Sequence, residues 1–174
     1  MNKNLRDFIA AAKALGPDYY VEVNRPLSPY LEVSIIQQKL ARLGRNPMIY
    51  CPEIEGSKLR LVTNLFGSFE MLALGLGCDP RTTTREEVYD VVRKKVATKI
   101  APEWVPASRA PVKQVKLLDD DADLGVLPII HNSKLDAGKY VSVGVMIAKW
   151  PDTGVPNAGI YRHLVMGKDL LGCM

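Results

Sequence analysis

Apolar and polar residues alternate with helical periodicity in the first half of the chain. The apolar positions of residues 5–12 fall on one helix face, and they predict a first helix of about three turns that ends at Gly16. Residues 28–44 open with Ser-Pro followed by a glutamate and close with a glycine, which predicts a second helix. The apolar positions of this second helix are expected to form its buried face; they are Leu31, Ile35, Ile36, Leu40 and Leu43.

Strands and two further helices are predicted before residue 100. The segments "YYVEV", "MIYC" and "LRLVTN" have the composition of short strands. The segment "SFEMLALGLG" predicts a short helix. The segment "TTTREEVYDVVRKKVATKI" begins with capping threonines and acids and ends with bases, as the helix dipole favours. These elements predict an α/β unit.

The character of the chain changes after residue 101. The proline-containing segment "APEWVPASRAPVKQV" predicts a linker or an extended segment. Strands are predicted at about 112–118, 140–150 and 157–166, with no helix among them. The predicted fold class is therefore α/β (α+β), with an N-terminal α/β domain at 1–104. A second domain at 105–174 contains the linker and the first strands of a β structure.

Composition excludes several classes of function. The net charge of +4 is mild and the charges are mixed, so no nucleic-acid partner is expected. The three cysteines lack metal-ligand spacing and are expected to be reduced, and the run "LLDDDAD" is interpreted as a solvated loop. Charges at Lys3 and Arg6 argue against a secretory signal, and no apolar run approaches membrane-spanning length. The expected location is the cytoplasm, without a membrane partner.

The last third of the chain predicts an antiparallel hairpin around the turn "PDTG". In "KYVSVGVMIAKW" bulky residues alternate with smaller ones such as Ser142 and Gly144, which would leave room for a close backbone or a flat ligand. The second strand carries Tyr161 and His163 on one face, interpreted as core or sheet-surface residues.

Asn157 and Arg162 are the candidate ligand-binding residues of this hairpin. An asparagine oxygen suits Mg²⁺ or Mn²⁺ beside a phosphate, and a guanidinium pairs with a carboxylate or phosphate. Their odd spacing places them on opposite faces of a regular strand, unless Asn157 precedes the pairing or a bulge near Gly159 changes the phase. From residue chemistry alone, a turn-capping asparagine and a surface arginine are the favoured interpretation.

A series of longer blocks runs through nearly the whole chain. The blocks include "RPLSPYLEVSIIQQKLARLG", "MIYCPEIEGSKLRLVTNLFGSFEMLALGLG" and "LDAGKYVSVGVMIAKWPDTGVPNAGIYRHLV". In order and spacing they resemble the N-terminal part of the UbiD decarboxylase family, which includes 3-polyprenyl-4-hydroxybenzoate carboxy-lyase and ferulic acid decarboxylase.

The resemblance implies reversible, non-oxidative decarboxylation of an aromatic or α,β-unsaturated acid, with prenylated FMN, Mn²⁺ and in addition K⁺ as cofactors. It implies that the second domain is the start of a split β-barrel that binds flavin. By position in the motif, Asn157 matches a metal ligand, and Ile160, Tyr161 and Arg162 match the segment that lines the cofactor. Arg162 also matches a catalytic arginine near the substrate carboxylate.

Family members continue beyond this point with further metal ligands, a proton donor and an oligomerisation domain. The chain is therefore expected to be the front part or a subunit of such an enzyme, inactive alone. It would act as a homo-oligomer or with a polypeptide that supplies the rest of the site. One alternative is a non-catalytic interaction or scaffold subunit of a decarboxylase complex. Another is a split-barrel flavoprotein that performs hydride chemistry.

Overall fold

The computed structural model describes residues 4–173, so the expectations that involve Lys3 and the chain end at Met174 lie outside the described residues. The described residues form mixed helices and small sheets, which confirms the predicted fold class. Their α-helices are α1 (Leu5–Leu15), α2 (Glu32–Arg42), α3 (Phe69–Leu76) and α4 (Arg85–Ala97). Their β-strands are β1 (Tyr20–Glu22), β2 (Met48–Cys51), β3 (Leu61–Thr63), β4 (Tyr140–Lys149), β5 (Pro156–Val165) and β6 (Leu171–Cys173).

The chain forms two compact units, each built from segments that are separated in sequence. The first unit contains the described residues up to Val23, together with Leu40–Tyr50 and Val62–Lys116. The second contains Asn24–Lys39, Cys51–Leu61 and the described residues from Leu117 onward. The predicted domain boundary near residue 105 stays a prediction.

The first unit has a small apolar core beneath α1. Strands β1 and β2 pair in parallel, with Tyr20 opposite Met48, in a sheet of order β1-β2-β3. Apolar residues from both helices and strands fill the core because helical spacing brings one face of α1 over the sheet. The buried core residues are Phe8, Ala12, Tyr20, Met48 and Met71.

Local capping signals set the ends of the helices in the first unit. The Thr84 hydroxyl accepts the backbone N–H of Glu87, and the Glu87 carboxylate accepts the N–H of Thr84, which is a complete capping box at the start of α4. The Glu87 carboxylate accepts hydrogen bonds from the Thr84 N–H and from the Thr84 hydroxyl, and these two bonds hold the pKa of Glu87 below its usual value. Ser68 caps α3 in the same way through the N–H of Met71. The predicted third and fourth helices are confirmed.

The second helix differs from its prediction in start and buried face. It begins at Glu32, because Leu31 has a left-handed φ of +63°. The Glu32 carboxylate accepts a hydrogen bond from Arg25 and from the Ser28 N–H, and both lower its pKa. The residue that α2 buries is Val33.

Two of the predicted core positions of α2 are on the surface. Ile35 is 57% exposed and Leu43 is 69% exposed, so the prediction of a face through these residues was wrong. Helical spacing identifies a stripe of apolar residues but not which edge of that stripe packs against other elements.

The second unit contains the antiparallel sheet β4-β5-β6. Its hairpin turns at residues 151–154, where Gly154 has a left-handed φ of +68° that favours glycine. The strands predicted at 140–150 and 157–166 are confirmed as β4 and β5. The strand predicted at 112–118 was wrong. A 3₁₀ turn at Pro111–Lys113 and irregular chain occupy that stretch, and none of the described strands pairs with it.

Two other expectations concern the described residues as a whole. No helix within residues 4–173 has the length and apolar character needed to cross a bilayer. The run "LLDDDAD" forms an exposed segment with a 3₁₀ turn at Asp119–Asp121, in agreement with its interpretation as a solvated loop.

Candidate functional site

The register of the β4–β5 hairpin contains one irregularity. The two strands pair from Tyr140 opposite Leu164 to Lys149 opposite Pro156, and the register shifts between Val141 and Gly144. Two residues of β4 therefore oppose the single residue Arg162 of β5, which is the arrangement of a β-bulge. The extra residue lies in β4, so the alternation of side chains along β5 is unbroken.

The bulge defines two faces of the hairpin. We call the first the histidine face; it comprises Val141, Gly144, Met146, Ala148, Asn157, Gly159, Tyr161 and His163. We call the second the arginine face; it comprises Tyr140, Val143, Val145, Ile147, Ala158, Ile160, Arg162 and Leu164.

Ring contacts agree with this division into faces. The rings of Tyr161 and His163 meet edge to face with centroids 6.5 Å apart. The Arg162 guanidinium carbon lies 3.9 Å from the centre of the Tyr140 ring. Each contact joins residues of the same face, so the alternation derived from the register holds for the side chains as well.

Asn157 and Arg162 do not converge on one face of the hairpin. Asn157 pairs with Ala148 inside the regular ladder, and the register runs unbroken from Asn157 to Tyr161. Neither condition for convergence is met, because Asn157 does not precede the pairing and no bulge lies near Gly159. The expectation from their odd spacing, that the two residues face opposite sides of a regular strand, is therefore confirmed, and the bulge in the opposite strand does not change it. The binding role assigned to each residue separately stays a prediction.

Arg162 is held on two sides by residues of the same unit. Its Nη2 lies 3.0 Å from Oδ1 of Asp136, and the guanidinium stacks on the ring of Tyr140. The Asp136 side chain is 15% exposed and that of Arg162 is 45% exposed, so the ion pair is partly shielded from water. An arginine keeps its charge at any physiological pH. The guanidinium is therefore a fixed cation whose remaining N–H groups can pair with an anion.

His163 fills the space that the glycine of β4 leaves open. A Cβ added at Gly144 would lie 2.7 Å from Nδ1 of His163. His163 is only 6% exposed, and its Nδ1 has no hydrogen-bond partner among residues 4–173. The expectation that Gly144 and Ser142 together leave room for a flat ligand was wrong for Gly144, because the imidazole ring takes that room. Ser142 accepts a hydrogen bond of 3.0 Å from the side-chain amide of Asn132.

The predicted flavin-lining residues are divided between the two faces. Ile160 and Arg162 lie on the arginine face, whereas Tyr161 lies on the histidine face, and all three are exposed. A flat isoalloxazine ring contacts one face of a strand at a time. The described residues therefore do not by themselves form a complete flavin site, and the assignment of these residues stays a prediction.

The described residues also lack a complete site for a divalent cation. No group of three or more His, Cys, Asp or Glu side chains within residues 4–173 is arranged to hold a metal. Asn157 offers one neutral oxygen, whereas Mn²⁺ or Mg²⁺ requires several oxygen ligands. Asn157 does not bind such an ion alone, and any metal site needs ligands beyond those described.

Sequence reasoning missed the two residues that hold Arg162. Asp136 and Tyr140 both lie in the segment "LDAGKY", which was noted only for its resemblance to a family block. An acidic residue just before a strand and an aromatic residue at its first position are a weak signal, because the pattern does not say which cation they meet. The antiparallel pairing of β4 with β5 supplies that information.

Two family models match this chain and between them span most of it. The 3-octaprenyl-4-hydroxybenzoate carboxy-lyase N-terminal domain matches residues 16–90. The 3-octaprenyl-4-hydroxybenzoate carboxy-lyase Rift-related domain matches residues 103–174.

One curated relative carries a name that agrees with the family models. A phenolic acid decarboxylase of Sedimentibacter hydroxybenzoicus is 30% identical over 98% of this chain. The chain spans 36% of the length of that relative, and 37% of an uncharacterized protein of Aquifex aeolicus that is 28% identical.

Solved structures of the same family superpose closely on this chain. The open form of vanillic acid decarboxylase from S. hydroxybenzoicus matches with a TM-score of 0.85 at 29% identity, over 98% of this chain and 36% of that chain. An evolved dimeric form of the UbiD-class enzyme HmfF from Pelotomaculum thermopropionicum, in complex with prFMN, matches with a TM-score of 0.85 at 25% identity, over 99% of this chain and 38% of that chain. The predicted resemblance is confirmed, and the chain belongs to the UbiD family of 3-octaprenyl-4-hydroxybenzoate carboxy-lyases.

Proposed function

We propose that this chain supplies part of the active site of a non-oxidative decarboxylase that acts on aromatic or α,β-unsaturated carboxylic acids. Its family membership supports the reaction class, and the names of its relatives support the substrate class. In this proposal Arg162 is the catalytic residue of the chain. It holds the carboxylate that will leave as CO₂.

The environment of Arg162 is the observation that carries this proposal. The guanidinium is permanently charged, fixed by Asp136 and Tyr140, and still partly open to solvent. A cation held in place before the substrate arrives stabilises an anion more than a mobile one does, because little reorganisation is needed during the reaction. Nearby Val143, Val145 and Ile160 are exposed on the same face and suit the apolar body of an aromatic acid.

The proposed cofactor is prenylated FMN, supported by the relative HmfF, whose structures contain prFMN or FMN. When bound, this group would accept the electron pair that the departing CO₂ leaves behind. Ile160, Tyr161 and Arg162 remain the proposed cofactor-lining residues, with Asn157 as one proposed ligand of Mn²⁺ and K⁺ as a further proposed ion. Because the described residues complete neither site, we propose that protein groups outside them contribute to both.

We further propose that those groups come from protein outside the described residues, within a homo-oligomer or a complex with another polypeptide, and that the described residues are inactive without them. The relatives include vanillic acid decarboxylase ShVdcCD, one of whose structures contains a truncated ShVdcD. We also propose a cytoplasmic location for the protein. No observation favours the alternative of a non-catalytic scaffold subunit, or that of a hydride-transferring flavoprotein.

The test measures CO₂ release from vanillate and 4-hydroxybenzoate. The assay uses the complex that contains this chain, purified from its source. Prenylated FMN and Mn²⁺ are added to that complex. We expect turnover that Arg162→Gln lowers by about 10²- to 10³-fold, the loss seen when one preorganised charge-stabilising group is removed. Lys149→Gln is the matched control, because Lys149 is an exposed cation at the far end of the same hairpin. Flavin-loaded complex without CO₂ release, or full activity in Arg162→Gln, would overturn the proposal.

A further inference from the structure

Arg162 contacts Asp136 and Tyr140. The family resemblance assigned no role to either of these residues. We infer that both are positioning residues, which hold the guanidinium so that its open edge meets the substrate carboxylate. This inference rests on the proposed function of Arg162. Asp136 and Tyr140 thereby join Arg162 in the proposed site, and each acts on the guanidinium in a different way.

The two neighbours restrain different motions of the guanidinium. The Tyr140 ring lies 3.9 Å from the guanidinium carbon, and stacking at that distance restrains the tilt of the guanidinium plane. Asp136 pairs with Nη2 at 3.0 Å, which restrains rotation within that plane. The ion pair engages one side of the group. The other N–H donors of Arg162 stay available for a second anion.

Asp136 and Tyr140 are themselves held in place. The backbone N–H of Asp136 donates to the carbonyl of Ser133 at 3.0 Å, which closes a turn just before β4. Tyr140 is 8% exposed and pairs with Leu164 at the first position of the strand. Because both partners are tied to backbone structure, the guanidinium between them has little freedom to leave.

The bulge in β4 contributes to the same arrangement. Ser142 and Val143 together oppose Arg162, so the strand is locally twisted where the arginine leaves the sheet. Ser142 is tied to Asn132 by a hydrogen bond of 3.0 Å. A bulge at this position can redirect a side chain without disturbing the pairing on either side.

Two simpler roles for Asp136 predict different results from positioning. If Asp136 only balanced charge, a glutamate in its place would serve equally well. If Asp136 competed with the substrate for Arg162, its removal would tighten the binding of a carboxylate. Under positioning, Asp136→Glu keeps the charge but moves the carboxylate by about one methylene, so binding weakens. Tyr140→Leu weakens binding without any change in charge.

The expected loss of carboxylate affinity follows from the side-chain freedom that Arg162 regains when one of its two neighbours is changed. Ordering one long side chain at a binding site changes affinity by about 2- to 12-fold. We therefore expect Asp136→Glu and Tyr140→Leu each to weaken carboxylate binding by about fivefold. A double variant should weaken binding by less than the product of the two, since both changes release the same group.

The experiment titrates the complex that contains the chain with benzoate and follows the side-chain N–H signals of Arg162 by NMR, with isotope label in this chain only. A side-chain N–H signal that responds to benzoate in the wild type and is absent from Arg162→Gln is assigned to Arg162. The matched controls are Tyr89→Leu, an exposed tyrosine of α4, and Asp152→Glu in the hairpin turn. Circular dichroism of every variant checks that the fold is retained. A second readout, the rate of rotation of the guanidinium, requires no ligand.

Positioning predicts weaker benzoate binding and faster guanidinium rotation in Asp136→Glu and Tyr140→Leu, with both controls unchanged. Wild-type affinity and rotation in both variants would overturn the inference while leaving the proposed role of Arg162 intact. Tighter binding in Asp136→Asn would overturn it in favour of competition. A wild-type complex without any Arg162-dependent response to benzoate would overturn the proposed carboxylate contact and the inference with it.

Discussion

The packing of His163 over Gly144 makes a sharp prediction about the hairpin. In Gly144→Ala the new Cβ would lie 2.7 Å from Nδ1 and 2.9 Å from Cε1 of His163. Ordinary contact begins at 3.4 Å, so the ring would have to retreat by about 0.7 Å. The ring is buried and has little room to do so.

The expected magnitude is the difference of two opposing effects. Overpacking of this kind lowers the free energy of unfolding by about 1–3 kcal/mol. Alanine in place of glycine also restricts the unfolded chain, which returns about 0.4–1 kcal/mol. The net loss should be about 1 kcal/mol. In a His163→Ala background the clash is gone, and Gly144→Ala should stabilise the protein by about 0.5 kcal/mol.

Urea unfolding of the two single variants and the double variant measures this coupling. The fluorescence of Trp150, adjacent to the hairpin turn, reports on the second unit once Trp104 is replaced by phenylalanine. Trp104 is almost fully exposed, so that replacement should be harmless. An equal effect of Gly144→Ala with and without His163 would refute the assignment of these residues to one face.

Three further predictions concern the cores and the second helix. Met71→Ala should lower the free energy of unfolding by about 3 kcal/mol, because Met71 is fully buried. Leu72→Ala beside it should lower the free energy of unfolding by less than about 1 kcal/mol. Equal losses for the two variants in urea denaturation would contradict this. Val33→Asp should abolish the native circular dichroism spectrum by burying an unpaired charge, and Ile35→Asp at an exposed site should keep it. The pKa of Glu32 is held below its usual value by the Arg25 guanidinium and the N–H of Ser28, so its contribution to stability is present above the ordinary glutamate pKa and is lost as pH falls through the lowered one. Glu32→Gln should therefore reduce the loss of stability between neutral and acid pH, and an unchanged acid-side slope in urea midpoints would contradict this.

Elements with local signals were predicted well from the sequence. The capping box of α4 joins residues three positions apart, and the turn of the β4–β5 hairpin depends on Gly154 and its immediate neighbours. Such interactions form between residues that are close in any conformation of the chain. Their sequence signals therefore keep the same meaning in the folded protein.

Burial was predicted less well, and α2 shows why. The apolar positions of that helix predicted that Ile35 and Leu43 face the core, but Val33 is the residue that is buried. The irregular segment at 112–118 failed as a strand for a related reason, since strand formation requires a partner strand as well as a suitable composition.

The amino-acid sequence by itself determined the family, the mixed fold class, most of the helices and strands, and the hairpin that carries Asn157 and Arg162. Only the tertiary structure decided that β5 is regular, so that these two residues keep the opposite faces predicted by their spacing, and that Asp136 and Tyr140 hold the arginine. The physical reason is that side chains along a strand alternate with a period of two. One extra residue in a strand therefore moves every later side chain of that strand to the other face of the sheet. The location of that residue depends on packing across the sheet, which no local pattern records.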